Sequence, residues 1–280
     1  MKIAFQGEIG AFSEEAVLAM FGEAEPVPTP SFEAVFGAVE AGRVDRAMIP
    51  IENSLFGSVH VNYDLLRTHP VHIVGELKLR IRHHLMGLPG TTLQNIRRVH
   101  SHPQALGQCQ TFLREQLPHA EVVSAYDTAG ASKMIAAMGT REAAAIAGER
   151  AAAEYGLTIL ASGIESNHQN YTRFLVLARD DQPPAIHRPG VPLKTSIVFA
   201  LRQNVPGALF KSLAVFALRE LDLFKVESRP LIGSPGNYLF YLDFEGSVAN
   251  ETVRRALDHL GEITASLKVL GSYPHGDVVE

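Results

Sequence analysis

Cysteine is almost missing from this chain: Cys109 is the one thiol in 280 residues. One thiol makes neither an internal disulfide nor a thiolate metal cluster. The twelve histidines show neither His-Glu-x-x-His nor zinc-finger spacing. His83 and His84, adjacent in a strand-like segment, should face opposite ways rather than converge on one ion, so no metal is expected. Long apolar runs are also lacking; the longest are strand-length, well short of the roughly 18 residues of a membrane span. The formal net charge is −5 and no Lys/Arg-rich run exists, so the basic field that phosphate backbones require is absent and nucleic acid is not an expected partner. Gly7-x-x-Gly10 is too short for a nucleotide fingerprint and no Gly-x-x-x-x-Gly-Lys-Ser/Thr occurs, so no cofactor is expected. Met1-Lys2 leads directly into the strand-like Ile3-Ala4-Phe5 without signal-peptide character, and a cytoplasmic protein is expected.

What is present is an ordinary globular balance, 46% hydrophobic and 20% charged residues. At roughly 100–200 residues each, the length suits about two domains. Residues 2–6 read as a strand, followed by a turn and a helix from near Ser13 with Glu14 and Glu15 in its first turn. Phe32, Val35, Phe36 and Val39 recur at helical steps, with Gly42 placed to stop them. A short strand at 47–49 runs into a polar loop at 50–54, and 71–81 alternates as a half-buried strand should. Further strands are expected at 97–101, 122–123, 144–147 and 157–161, and helices at 102–116, 128–138 and 149–155. A polar loop at 170–173 then enters the apolar strand 174–178. This alternation implies an α/β fold with a largely parallel sheet. Residues 181–193 hold four of the sixteen prolines and read as a linker. Beyond it, strands at 195–201, 224–227, 238–244 and 266–270 with helices at 208–221 and 251–260 give the order βαββαβ, the ferredoxin-like arrangement.

Three polar clusters each adjoin a short apolar segment, where α/β folds place ligands: Glu52-Asn53-Ser54, Ser101-His102-Pro103-Gln104 with Gln108, and Thr172-Arg173. Each also has a structural explanation. Ser54 and Ser101 serve equally as helix caps, His102-Pro103 as a helix start, and Gln108 as a solvated helix position. Cys109 and His102 lie seven residues apart on one expected helix, about two turns, too far for a thiol–imidazole pair; Cys109 reads as a small buried apolar residue. Asp127-Thr128 opens a helix whose N–H groups can receive a carboxylate.

Taken in order, Pro50-Ile51-Glu52-Asn53-Ser54, Ser101-His102-Pro103-Gln104-Ala105-Leu106 with Gln108-Cys109, and Asn170-Tyr171-Thr172-Arg173-Phe174 resemble the motifs of prephenate dehydratases. The C-terminal part resembles their ACT regulatory domain, where Pro206-Gly207-Ala208-Leu209 and Glu227-Ser228-Arg229-Pro230 match the two phenylalanine-recognition motifs. One departure stands near the N-terminus, where Glu8 and Ala11 replace the family's common proline and hydroxyl residue. The resemblance implies a two-lobed, periplasmic-binding-protein-like catalytic domain over residues 1–180, with lobe 1 at about 1–80 and 165–180 and lobe 2 at about 81–164. A regulatory domain over 194–280 would follow the linker. It implies a lyase that converts prephenate to phenylpyruvate, water and carbon dioxide, with L-phenylalanine as feedback inhibitor and a homo-oligomer as the assembly, a dimer or a tetramer built as a dimer of dimers.

Losing carbon dioxide and hydroxide makes the prephenate ring aromatic, so the protein has to fix geometry, hold a carboxylate and hydrogen-bond the departing hydroxide. By resemblance, Thr172 is the key catalytic residue; its hydroxyl, far too weak an acid for free-standing acid catalysis, acts as donor or relay. Glu52, Asn53, Ser101 and Gln108 complete the implied catalytic set. Arg173, Ser54, Phe174 and Thr128 are the implied substrate-binding residues, Arg173 by a bidentate grip on a carboxylate. Gly207, Ala208, Leu209, Glu227, Ser228, Arg229 and Pro230 are the implied phenylalanine site. His102 is expected to be structural. Arogenate remains an alternative substrate, encouraged by Ala11, and a non-catalytic amino-acid sensor is the alternative of another class.

Overall fold

In the computed structural model, residues 1–179, 189–231 and 233–280 are described; residues 181–188 of the expected linker lie outside them. Two compact units divide the chain: Met1–Asn62 with Leu77–Phe174 and Val278–Glu280, and Tyr63–Glu76 with Leu175–Asp277. In chain order the N-terminal part holds β1 (Lys2–Gln6), α1 (Phe12–Phe21), β2 (Glu25–Thr29), α2 (Phe32–Glu40), β3 (Arg46–Asn53), β4 (Gly57–Ser58), α3 (His60–Thr68) and β5 (Val71–Arg80). There follow β6 (His84–Gly87), β7 (Arg98–Ser101), α4 (Pro103–Gln108), α5 (Gln110–Gln116), β8 (Glu121–Ser124), α6 (Thr128–Met138), β9 (Ala143–Ala147), α7 (Glu149–Tyr155), β10 (Thr158–Ala161) and β11 (Tyr171–Arg179).

One sheet has the order β16-β5-β11-β3-β1-β2, with β4 paired to β3 and β16 formed by Val278–Val279. A second has the order β10-β6-β9-β7-β8. The expected parallel pairing holds for β1 with β2 and β3 and for β7 with β8 and β9. The second sheet is nevertheless mixed, because β6 runs antiparallel to both β9 and β10. Strand β9, Ala-Ala-Ala-Ile-Ala, is buried throughout; its short side chains let α6 lie close on it. Cys109 sits in the core below this sheet with Leu106, Leu113, Leu117 and Ile146.

The chain passes between the two sheets twice, after β5 and before β11, and the passing segments are stitched together. Ile81 N–H donates to the Asn170 carbonyl at 2.8 Å, Ile164 N–H to the His83 carbonyl at 3.0 Å, and His83 N–H to Glu165 Oε2 at 2.9 Å. Burial alone would raise the Glu165 pKa, but the hydrogen bonds from the N–H groups of His83 and Glu165 and from His168 outweigh it and hold the carboxyl low.

Several expectations need correction. The helix expected over 102–116 breaks at Cys109 into α4 and α5. The loops expected at 50–54 and 170–173 are largely strand, since β3 continues to Asn53 and β11 begins at Tyr171. Strand β2 and helix α3 were not expected; Pro26 and Pro28 disguise β2, which tolerates them at the sheet edge.

The second unit contains β12 (Leu193–Leu201), α8 (Ala208–Ala217), β13 (Leu223–Pro230), β14 (Tyr238–Glu245), α9 (Glu251–Ile263) and β15 (Thr264–Pro274). Its sheet order, β13-β14-β12-β15, is antiparallel at every pairing, which makes the ferredoxin-like βαββαβ arrangement expected from the sequence. Val253, Ala256, Leu257 and Leu260 recur at helical spacing and turn one face of α9 onto Phe199, Phe216, Leu242 and Phe244. Within this unit Lys268 Nζ donates to the carbonyls of Leu66, Arg67 and His69 at 2.7–3.2 Å, so a cation closes the C-terminal end of α3.

The ion pair of Lys194 Nζ with Glu76 Oε2, at 2.6 Å, is almost wholly buried, and Glu76 Oε1 also accepts from Gly276 N–H. Removing one member of such a pair strands the other charge. Lys194→Met should therefore destabilise the unit by about 3–5 kcal/mol, measured as a fall in the urea midpoint at unchanged m-value.

Candidate functional site

A cavity of about 610 Å³ opens within the first unit. Its walls are built largely from helix beginnings: Ala11, Phe12 and Ser13 of α1, Ser31, Phe32 and Glu33 of α2, His102, Gln104 and Ala105 of α4, and Asp127 and Thr128 of α6. Among the described residues no lysine or arginine lines it. Backbone N–H groups at the helix ends are its electropositive groups, and the acidic side chains in its wall are Glu33 and Asp127.

The ends differ in how far they are already satisfied. Ser31 Oγ accepts from Ala34 N–H at 3.2 Å, and Asp127 Oδ1 accepts from Gly130 N–H at 2.7 Å. Helix α1 has no side-chain cap, because Ala11 at the N-cap has no hydroxyl. The amides of its first turn are therefore the least committed of the three longer helices, and Phe12 and Ser13 of that turn line the cavity.

Thr172 and Asn53 meet at the cavity. Asn53 Nδ2 donates to Thr172 Oγ1 at 3.0 Å and to Asn170 Oδ1 at 2.8 Å. Its Oδ1 accepts from the N–H groups of Leu55 at 2.9 Å and Phe56 at 3.0 Å. With its oxygen occupied as an acceptor, Thr172 keeps its own O–H for a further bond, and the residue lies in the cavity wall. Phe174, two residues along β11, lines the same wall, as strand alternation requires.

Gln108, Phe174 and Thr128 also line the cavity with Asn53 and Thr172, while four expected site residues do not. Arg173 falls between Thr172 and Phe174 on β11 and so faces the other way. Glu52 is registered opposite Ser58 of β4 and is not among the residues that line the cavity. Ser54 is a clamp between segments: Oγ donates to the Gln169 carbonyl at 2.9 Å and accepts from Tyr171 N–H at 3.0 Å. Ser101, fully buried, donates Oγ–H to the Ile146 carbonyl at 2.6 Å. The spacing of polar residues along a motif does not reveal which of two alternating neighbours faces inward.

Other lining residues are not marked by the sequence motifs: Phe12 and Tyr126 carry no polar-cluster signal, and His83 stands out only as a candidate metal ligand. Inside, His83 Nε2 lies 2.5 Å from Gln108 Oε1 and its ring packs edge-on against Phe12. Burial lowers the His83 pKa, only partly offset by the Gln108 hydrogen bond, and keeps the ring neutral. His102 is both cap and wall: its Nδ1 accepts from Gln104 N–H at 3.3 Å, and burial lowers its pKa as well. Of the expected phenylalanine-site residues in the second unit, Gly207 is the N-cap of α8 at φ +80°, Ala208 and Leu209 open that helix, and Glu227, Ser228, Arg229 and Pro230 end β13. Arg229 there forms a two-point pair with Asp64, Nη2–Oδ2 2.6 Å and Nε–Oδ1 3.3 Å.

Residues 3–182 match the family described as prephenate dehydratase. Arogenate dehydratase/prephenate dehydratase 2, chloroplastic, of Arabidopsis thaliana is 50% identical over 283 residues, spanning 98% of this chain and 73% of that protein. A solved structure of prephenate dehydratase from Arthrobacter aurescens in complex with L-Phe is 34% identical, with a TM-score of 0.89 over 98% of this chain and 90% of that one. A structure described as GqqA, a novel type of quorum quenching acylase, is 36% identical, also with a TM-score of 0.89, over 99% and 98% of the two chains.

Because its hydroxyl serves the Ile146 carbonyl and not the cavity, Ser101→Ala should act on stability. A loss of about 1–3 kcal/mol is expected, with turnover per folded molecule within about twofold of wild type. Paired thermal unfolding and active-fraction kinetics would read both, and a large kcat loss at unchanged stability would return Ser101 to the reaction.

Proposed function

The chain belongs to the prephenate dehydratase family, and we propose that it catalyses the decarboxylating dehydration of prephenate to phenylpyruvate for phenylalanine synthesis. The observation that carries this reading is the Asn53–Thr172 hydrogen bond in the wall of a cavity rich in N–H donors. As the bond from the ring to its carboxylate breaks, that electron pair enters the ring and the C–O pair leaves on oxygen. Charge grows on the leaving oxygen, and the Thr172 O–H is free to hydrogen-bond it while a proton is taken up to complete water. The helix ends and Gln108 supply neutral donors for the carboxylates, and Phe12, Phe32, Phe56 and Phe174 exclude water from the carboxylate about to depart.

Arogenate is the second reading, favoured by the acidic wall residues Asp127 and Glu33, which would suit an ammonium group. An acylase reading draws no support from the wall histidines. Both wall histidines bond amide groups, His83 to Gln108 and His102 to the Gln104 backbone, whereas acyl transfer needs a hydroxyl or thiol held by a base.

The second unit, in the same reading, is an ACT domain that binds L-phenylalanine through the Gly207–Leu209 and Glu227–Pro230 segments and lowers turnover by favouring one of two global states. Strand β13 is a sheet edge with Phe224 and Val226 exposed, which supports edge-to-edge pairing into a dimer or tetramer. A cytoplasmic location is part of the proposal.

Three measurements test it. Purified protein given prephenate and arogenate in parallel should make phenylpyruvate faster than phenylalanine; the reverse ranking would transfer the assignment to arogenate, and turnover of neither would overturn it. Thr172→Ala should lower kcat by about 10²–10³-fold, while Thr172→Ser keeps appreciable activity; an alanine variant with wild-type kcat would remove Thr172 from the chemistry. Phenylalanine should suppress turnover, and Ser228→Leu should abolish that suppression while uninhibited turnover persists.

A further inference from the structure

His83 is 2% exposed, lines the cavity, and has a use that the reaction scheme leaves unassigned. Its main chain is held on both sides, with N–H on Glu165 Oε2 at 2.9 Å and the carbonyl under Ile164 N–H at 3.0 Å. The ring is braced edge-on against Phe12, with centroids 5.5 Å apart. The Gln108 main chain is fixed as well, its carbonyl accepting from Ser166 N–H at 2.8 Å. Two backbones therefore hold these side chains at contact distance, and what remains open is which way the Gln108 amide points.

The imidazole decides it. Nδ1 is buried and, among the described residues, has no hydrogen-bond partner. A proton there would be an orphaned N–H, so the single proton of the neutral ring belongs on Nε2, facing Gln108. An Nε2–H donor requires the Gln108 oxygen on its side, which turns the amide NH2 the other way. The opposite amide orientation would present two donors to each other or move the proton to the orphaned Nδ1. An imidazolium would orphan Nδ1–H in the same way, and burial disfavours it.

Resting on the dehydratase reading, we propose that His83 is a positioning residue for the reaction: its Nε2–H fixes the Gln108 amide with NH2 toward the cavity, as a donor to the substrate's carboxylate or hydroxyl. His83 itself need not touch substrate.

The test combines kinetics with one direct observation. On whichever of prephenate and arogenate is turned over better, His83→Leu should lower kcat/KM about tenfold, and His83→Gln, which restores an N–H near the Nε2 position, should recover most of it. In a Gln108→Leu background, His83→Leu should cost less than about twofold, because its effect passes through the amide already lost. Full multiplication of the two single effects would overturn the proposal, as would failure of His83→Gln to rescue. Nitrogen-15 NMR of the wild-type ring needs neither turnover nor a stable variant. It should find the proton on Nε2 and none on Nδ1; a proton on Nδ1 would overturn the proposal. If wild type turned over neither acid, the dehydratase reading would fall while the ring signal still reported the His83–Gln108 geometry.

Discussion

The side-chain amide of Asn53 is the point on which the cavity depends. It has two hydrogens and an oxygen with two lone pairs, and all four are used: Asn170 and Thr172 take the hydrogens, Leu55 and Phe56 donate to the oxygen. One group thereby ties the end of β3, the turn after it and the start of β11. The arrangement explains why an amide is needed rather than a carboxylate. An aspartate would accept from the turn equally well, but it could not donate to Thr172, whose hydroxyl would then turn to donate to the carboxylate and lose its free proton. Ser54, one residue on, secures the same junction from outside through Gln169 and Tyr171. The position of the Thr172 hydroxyl is thus set by neighbours that need not touch a ligand.

On the proposed function the cavity has to hold a substrate with two carboxylates, and its electrostatics takes an unusual course for that task. A guanidinium would be the ordinary solution, and Arg173 stands in the motif, yet strand alternation directs it away. Helix N-termini from both sheet layers converge instead. Backbone donors cannot be titrated or rotated away, so their orientation cost is met on folding and not during the reaction. The weaker field of fixed dipoles also has a merit for decarboxylation. A carboxylate clamped in an ion pair is stabilised in the ground state, whereas one held among neutral donors and aromatic rings loses less when it leaves as carbon dioxide.

How much of this could be read from the sequence follows the physics of each element. Helices such as α6 and α7 were legible to the residue because a glycine, Gly139 or Gly156, closes each and Asp127 caps the start of α6. Strand β2 was not, since its two prolines carry the signature of a loop and only an edge position accommodates them. The break at Cys109 was hidden because periodicity continues across it. At the candidate site, Asn53, Thr172, Gln108, Thr128 and Phe174, drawn from separate segments, line one cavity. Glu52, Ser54, Ser101 and Arg173 share those motifs and do not, because a motif records a segment while a site is made of one face of it.

The departures at Glu8 and Ala11 are resolved by the same local reasoning. A proline at position 8 has no N–H, whereas Glu8 N–H donates to Asp127 Oδ2 at 3.1 Å, giving the α6 cap a second donor. The Glu8 carboxylate then accepts from Lys133 Nζ and Tyr126 O–H, both at 2.9 Å, and these contacts, the lysine foremost, hold its pKa low. Gly130 makes room for this, for a Cβ there would overlap the Tyr126 ring at 2.2 Å. Tyr126 and Asp127 are wall residues, so Glu8 shapes the cavity without entering it. Ala11 acts by omission: a hydroxyl at that N-cap would occupy an amide of α1, and without it those donors stay available to an anionic ligand. The chain therefore leaves main-chain donors open at the first helix and ties position 8 down through an ion pair to Lys133 of α6 and a hydrogen bond from the Tyr126 phenol just before that helix.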